Sequence, residues 1–191
     1  MAKFVVGIGG TLRSNSSSEL LVRAVLARCE DYGATTQMFD GPTLAQLPHY
    51  NPDIPDRTPG QCEFVTAVRA ADALVISSPG YHGGVSGVVK NAIDLLEDTR
   101  SDGRVYFDGL PVGLIVSAAG WQAGGVTLAA LRGIVHAMRG WPTPMGIALN
   151  SVEQKPFAPD GTLKDSGVAD LVDLQARQLM SFCLEPPSGP C

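Results

Sequence analysis

Two continuous apolar runs, ALVISS (73–78) and LPVGLIVS (110–117), constrain this chain more than any other feature. Unlike a strand with one wet face, they do not alternate apolar and polar residues, and such runs belong to strands covered on both sides. A third run, Lys-Phe-Val-Val (3–6), leads into GIGGTLRSNSSSEL, and further strands are expected over Ala34 to Phe39 and in TPMGIALN (143–150). Between the strands lie segments with helical spacing. Leu20, Leu21, Val25 and Leu26 mark the first, with Arg23, Arg28 and Glu30 opposite and Gly33 at its end. A second is expected from Gln61 to Ala71, and a third carries Val85, Val88, Val89, Ala92 and Leu96. A fourth spans Val126 to Met138, and Leu171, Leu174, Leu179 and Phe182 mark the last. GPTLAQLPHYNPDIPDRTPG (41–60), dense in proline and without periodicity, reads as one long loop. Strand and helix alternate throughout, which implies a parallel sheet with helices on both faces and right-handed crossovers. Ligands of such sheets sit outside the carboxyl ends of the strands, at the switch point.

The totals suit one domain over 1–183 with a frayed tail, EPPSGPC, inside 184–191. A net charge of −5 without any Lys/Arg cluster argues against a nucleic-acid surface. The amino terminus lacks the pattern of a signal peptide, and no segment reaches transmembrane length. Cys29, Cys62, Cys183 and Cys191 form no C-x-x-C pair, so reduced thiols in a cytoplasm are expected, and no metal site.

The first glycine-rich stretch fits neither familiar phosphate loop. A dinucleotide fingerprint needs a third glycine where Leu12 stands, and a triphosphate loop needs a Gly-Lys pair that is absent. It offers one guanidinium, Arg13, among the hydroxyls of Thr11, Ser14, Ser16, Ser17 and Ser18, at the start of a helix. That inventory suits a terminal phosphate monoester. Ser16 with Glu19 also forms a capping box, which would stabilise the same helix without any ligand.

Two further loops at the same edge, SSPGYHGG and SAAGWQAGG, are rich in glycine and small polar residues. Gly80, Gly83, Gly120, Gly124 and Gly125 would let backbone approach a flat ligand. Together G-T-L-R-x-x-S-x-S, P-x-Y-H-G-G-V-S-G-V-V-K-N-A-I-D and S-A-A-G-x-x-x-G-G resemble the flavodoxin-like NAD(P)H-dependent FMN reductases, a family that includes quinone, azo-dye and chromate reductases. The resemblance runs from about Lys3 to the last helix. It implies an α/β, three-layer, doubly wound five-stranded parallel sheet of order 2-1-3-4-5, with FMN as cofactor and NADPH or NADH as hydride donor. Carried over by position, it places Thr11, Arg13, Ser16 and Ser18 on the FMN phosphate. Pro79, Gly80, Tyr81, His82 and Gly83 fall along the isoalloxazine and ribityl side, and Ser117, Ala118 and Gly120 beside the pyrimidine end. Thr11 stands where Ser is more common, Gly80 replaces a larger residue, His82 often corresponds to Asn, and Ser86 precedes Gly87 where many relatives have Pro.

The resemblance implies a reductase that passes hydride from a nicotinamide to FMN and supplies reduced flavin, for example to a monooxygenase. The alternatives are a quinone, azo, nitro or chromate reductase that keeps FMN bound, a flavodoxin-type electron carrier, and a flavin-free binding domain. No catalytic acid or base is assigned, because the redox chemistry belongs to the cofactor and the protein need only hold two rings in contact. Tyr81 is read as an aromatic contact to the flavin or as loop packing, Trp121 as a lid over the substrate face, and Trp141 as a residue packing at a helix end. His82 is left between a flavin or substrate donor and a solvent-facing residue, and His136 is read as structural. Lys90, Asn91 and Asp94 are placed on the polar side of the third helix, which in the resembled family packs on a second subunit, so a homodimer or homotetramer is expected.

Overall fold

The computed structural model describes residues 2–182; the expected tail and the thiols Cys183 and Cys191 lie outside them. Five strands, β1 (Phe4–Ile8), β2 (Thr35–Phe39), β3 (Ala73–Pro79), β4 (Pro111–Ala118) and β5 (Trp141–Asn150), alternate with helices. The helices are α1 (Ser17–Asp31), α2 (Gly41–Ala45), α3 (Pro59–Ala70), α4 (Gly87–Leu95), α5 (Trp121–Ala137) and α6 (Ser166–Ser181). All strand pairs are parallel and the sheet order is β2-β1-β3-β4-β5, the flavodoxin-like order expected. The chain order reverses between β1 and β3, which makes the space above their carboxyl ends the switch point.

Every residue of β3 and β4 is buried, and the alternation of side chains explains why the apolar runs are continuous. Val5, Val75 and Ile115 face α1 and α6, packing with Leu21, Val25, Val172 and Leu179. Val6, Ile8, Leu74, Ile76, Leu114 and Val116 face the other layer, with Phe64, Val89, Ala92, Leu131 and Val135. Each strand thus contributes to two cores, and both sets of positions stay apolar as far as Ile76 and Val116, beyond which buried serines occupy the carboxyl ends. Gln175 of α6, also fully buried, donates from Nε2 to the carbonyls of Leu114 (3.2 Å) and Met145 (3.0 Å), beside a register irregularity between β4 and β5.

Four sequence expectations need correction. The proline-rich segment is not wholly irregular, because Asp40 caps α2 through the N–H and hydroxyl of Thr43, Pro42 sits where a helix tolerates it, and Leu44 and Leu47 are buried. Helix α5 starts at Trp121 rather than Val126; Gly124 and Gly125 are helical, and buried Gly124 lies against Ala148 of β5, so close packing outweighs the low helix propensity of glycine. Strand β5 starts at Trp141, two residues before the expected run, while the Trp141 ring lies 6.1 Å from that of Phe182, the C-cap of α6, in agreement with packing at a helix end. Asn91 turns inward: its Oδ1 accepts from the N–H of Tyr50 (2.9 Å) and its Nδ2 donates to the carbonyls of Leu47 and Pro48 (both 3.2 Å).

Those bonds, with Arg57, fix the irregular part of the 41–60 segment. Arg57 pairs with Asp98 (2.7 Å), lies over the Tyr50 ring and donates to the carbonyls of Asn51 and Ile54. The guanidinium, by hydrogen bonding to it, holds the Asp98 carboxyl below the usual carboxylate range. Asn91→Ala leaves the Tyr50 N–H and the Leu47 carbonyl without these partners, while the Pro48 carbonyl keeps its bond from Gln61, and is expected to lower stability by about 1–3 kcal/mol, read by urea denaturation. An unchanged midpoint would mean that Asn91 does not hold the segment.

Candidate functional site

The loop after β1 is built by contact with its neighbours. A side chain at Gly10 would place its Cβ 2.3 Å from the carbonyl oxygen of Ser77, and one at Gly41 would place it 1.4 Å from that of Thr11. Only glycine lets the loop lie between β3 and the start of α2. Ser86 adds a tie, since its hydroxyl donates to the Gly10 carbonyl (3.0 Å) and accepts from Val89 N as the cap of α4. Its own N–H donates to the Ser78 hydroxyl (2.9 Å). Proline at this place would remove that donor, so the departure from the family pattern noted in the sequence has a structural use.

The buried Thr11 hydroxyl accepts from the N–H of Arg13 and donates to its carbonyl, both at 3.1 Å, which folds the loop back. Ser16 caps α1 by accepting from Glu19 N. The expected capping box is only half formed, because the Glu19 carboxylate goes instead to Arg23 at 2.9 Å. The start of α1, with its free N–H groups, therefore faces the space above the sheet.

Pro79 to Gly84 forms the second wall. Gly84 N donates to the Tyr81 carbonyl (3.0 Å), and His82 (φ 53°) and Gly83 (φ 75°) both lie in the left-handed region, the pattern of a type I′ turn. Asn and His tolerate that region better than most residues, which accounts for His82 standing where relatives carry Asn. The third wall is short: after Ala118 only Ala119 and Gly120 precede α5, and Gly80 N donates to the Ser117 carbonyl (2.9 Å) to bind the two walls together.

These walls enclose a cleft of about 600 Å³, within the range of small-molecule sites. Ten of the twelve residues singled out from the sequence line it: Thr11, Arg13, Ser16, Ser18, Pro79, Gly80, Tyr81, His82, Ser117 and Ala118. Gly83 and Gly120 do not; they form the turn behind Tyr81 and the amino-terminal cap of α5. Ser17, counted among the hydroxyls of the first loop, also lines it; sequence reasoning missed Asn15, Ala119, Ser151 and Lys155. The last two follow β5, and the rule that ligands gather at carboxyl ends of strands was the signal for them. Trp121, expected as a lid, lies outside the lining, with its Nε1 donating to Glu153 (2.9 Å).

The lining holds two cations and no carboxylate, in a chain of net charge −5. Neither Arg13 nor Lys155 takes part in any ion pair among the described residues. One end of the cleft thus carries a guanidinium, hydroxyls and a helix start, and the other carries Pro79, Gly80, Ala118, Ala119 and a half-open tyrosine. A phosphorylated ligand with a flat ring fits that division.

The fold and this cleft define the class of flavodoxin-like flavin oxidoreductases. By sequence the chain belongs to the NADPH-dependent FMN reductase family, whose profile matches residues 4–154, and it is accordingly an NAD(P)H-dependent flavin oxidoreductase with FMN as cofactor. It is 31% identical to the FMN-dependent NADPH-azoreductase of Staphylococcus aureus over 93% of this chain and 94% of that one. In fold it resembles FerB, a flavoenzyme NAD(P)H:acceptor oxidoreductase from Paracoccus denitrificans (TM-score 0.77, 22% identity, 96% of this chain and all of that one). A WrbA-like flavodoxin protein from Agrobacterium tumefaciens is also similar (TM-score 0.62, 18% identity, 94% of this chain and 96% of that one).

Seating of the first loop against α2 can be tested directly. Gly41→Ala is expected to destabilise the protein by about 1–3 kcal/mol and to weaken FMN binding, whereas Gly87→Ala, with open space around its Cβ, should do neither. Thermal melts and flavin titration of both variants provide the comparison, and equal behaviour would overturn it.

Proposed function

We propose that the cleft binds FMN with its phosphate on Thr11, Arg13, Ser16 and Ser18, its ring along Pro79 to Gly83, and its pyrimidine edge beside Ser117, Ala118 and Gly120. The observation that carries this reading is the acid-free lining in which the Arg13 guanidinium has no ion-pair partner among the described residues. When bound, FMN supplies acceptance of a hydride from NAD(P)H and its onward transfer as electrons. The residues of the chain orient and bind. Arg13 and the serine hydroxyls hold the anionic end; Gly80, where a Cβ would come within 2.9 Å of the Ala118 Cβ, keeps the second and third walls close together beside the ring. Tyr81, 61% exposed, stands at the open rim where a second flat molecule can stack.

On this reading the enzyme keeps FMN bound and reduces a small aromatic acceptor such as an azo compound or a quinone, supported by the relationship to the azoreductase. The second reading, release of reduced FMN to a flavin-dependent monooxygenase, is favoured by the exposure of Arg13 and Tyr81, which leaves the cleft open. Dialysis of the yellow protein separates them: retained colour with NADPH-driven acceptor reduction supports the first, loss of colour with NADPH oxidation that needs added FMN supports the second. Absence of NADPH and NADH oxidation under both conditions would refute both. The reading includes a cytoplasmic setting, where Cys29 and Cys62 stay as the free thiols seen here, and a homodimer or homotetramer. An apolar groove beside α4, lined by Tyr50, Ile93, Tyr106, Ile134 and Met138, supports assembly through that helix.

Arg13→Ala is expected to weaken FMN by roughly 1.5–3 kcal/mol and riboflavin, which lacks the phosphate, hardly at all. Calorimetric titration with both flavins measures this, and an equal loss for the two would remove Arg13 from the phosphate.

A further inference from the structure

We infer that Lys155, presented by the turn after β5, is a second phosphate-binding cation and sets the preference of the cleft for a phosphorylated flavin over an unphosphorylated one. The inference rests on the FMN reading above and extends it to a residue that lies beyond all three glycine-rich loops.

Lys155 lines the main cleft together with Arg13 and Ser16, and also an adjoining groove of about 240 Å³ whose other wall includes Asn15, Ser17 and Leu20. Its side chain therefore stands over the same end of α1 that carries the hydroxyls, although two strands, β3 and β4, separate β5 from β1. The packing of α6 and the segment before it against α1 brings the two together, with Gly161 lying against Leu20.

The backbone that presents Lys155 is held at both sides. Asn150 Oδ1 accepts from the N–H groups of Val152 (3.1 Å) and Glu153 (3.3 Å), and Gln154 N donates to the Asn150 carbonyl (2.8 Å). Pro156 is buried and its carbonyl accepts from Lys164 N (2.8 Å). The Lys155 ammonium has three donors; one goes to the Ser151 carbonyl, and no carboxylate pairs with it. The acids of this segment are engaged elsewhere: Glu153 accepts from the Trp121 indole, and Asp160 accepts from the N–H of Thr162 (2.9 Å) in its own turn.

A phosphate monoester carries a charge of about −1.5 to −2 near pH 7, so one guanidinium leaves part of it unbalanced. A lysine at the rim with two free donors supplies the remainder as a point charge, without the fixed geometry that an arginine would impose.

The test titrates FMN and riboflavin into the wild type, Lys155→Gln, Lys155→Arg and Lys164→Gln. Lys164→Gln removes the same charge from an exposed lysine outside the cleft lining. For Lys155→Gln the FMN dissociation constant is expected to rise about three- to tenfold and its salt dependence to flatten, with riboflavin unchanged. Lys155→Arg should stay near wild type, and Lys164→Gln should alter neither ligand. Wild-type FMN affinity in Lys155→Gln, an equal loss for riboflavin, or an equal effect of Lys164→Gln would each overturn the assignment. If the wild type itself bound both flavins alike, the phosphate reading beneath it would fail first.

Discussion

The close seating of the first loop between β3 and α2 is the constraint on which the site depends. Gly10 lies against the Ser77 and Ser78 backbone, the Gly41 backbone lies against the Thr11 carbonyl, and Ser86 ties α4 to Gly10. Loops that were merely flexible would leave Arg13 and the serine hydroxyls free to wander. Here three segments distant in sequence share a few hydrogen bonds and steric limits, so the start of α1 and the Tyr81 turn are held in one frame. Burial of both faces of β3 and β4 supplies the rigidity beneath them, because a shift of either strand would disturb two cores at once.

Electrostatics then divide the cleft into two ends. Several acidic residues are placed in pairs such as Arg57–Asp98 and Arg23–Glu19, away from the lining, while Arg13 and Lys155 have no carboxylate partner among the described residues. In an acidic protein such a local excess of positive charge draws anions by contrast with its surroundings. The ring end has almost no charged groups. This suits the proposed seating of FMN, with its phosphate at the charged end and its redox-active ring at the other.

Much of this was legible in the sequence, and the reasons differ by element. The central strands were plain because burial on both faces keeps β3 and β4 apolar until the serines at their carboxyl ends, whereas the hydroxyls of the first loop read equally well as helix capping and as a ligand site. Two kinds of feature were hidden. Gly124 and Gly125 read as loop residues by propensity, yet both lie inside α5, where Gly124 packs on Ala148 of β5 and Gly125 faces open space. Asn91, on a helix that looked polar on that side, points inward because the proline-rich segment needs partners for its backbone, and that need is set by tertiary structure. Lys155 escaped for a similar reason: only the packing of α1 against the residues before α6 shows that a turn three strands away faces the same groove.

The turn at Tyr81 joins these observations to the breadth of acceptors expected of such an enzyme. His82 and Gly83 adopt left-handed backbone, so the tyrosine is presented from a rigid two-residue corner, yet its ring is mostly exposed. A fixed aromatic edge at an open rim favours stacking, which depends on flatness more than on a particular pattern of donors and acceptors. Affinity for the cofactor can therefore be invested at the phosphate end, while the exposed face stays undemanding. On that division, changes around Tyr81 and the rim would alter which acceptors react, and changes around Arg13 and Lys155 would alter whether the flavin stays.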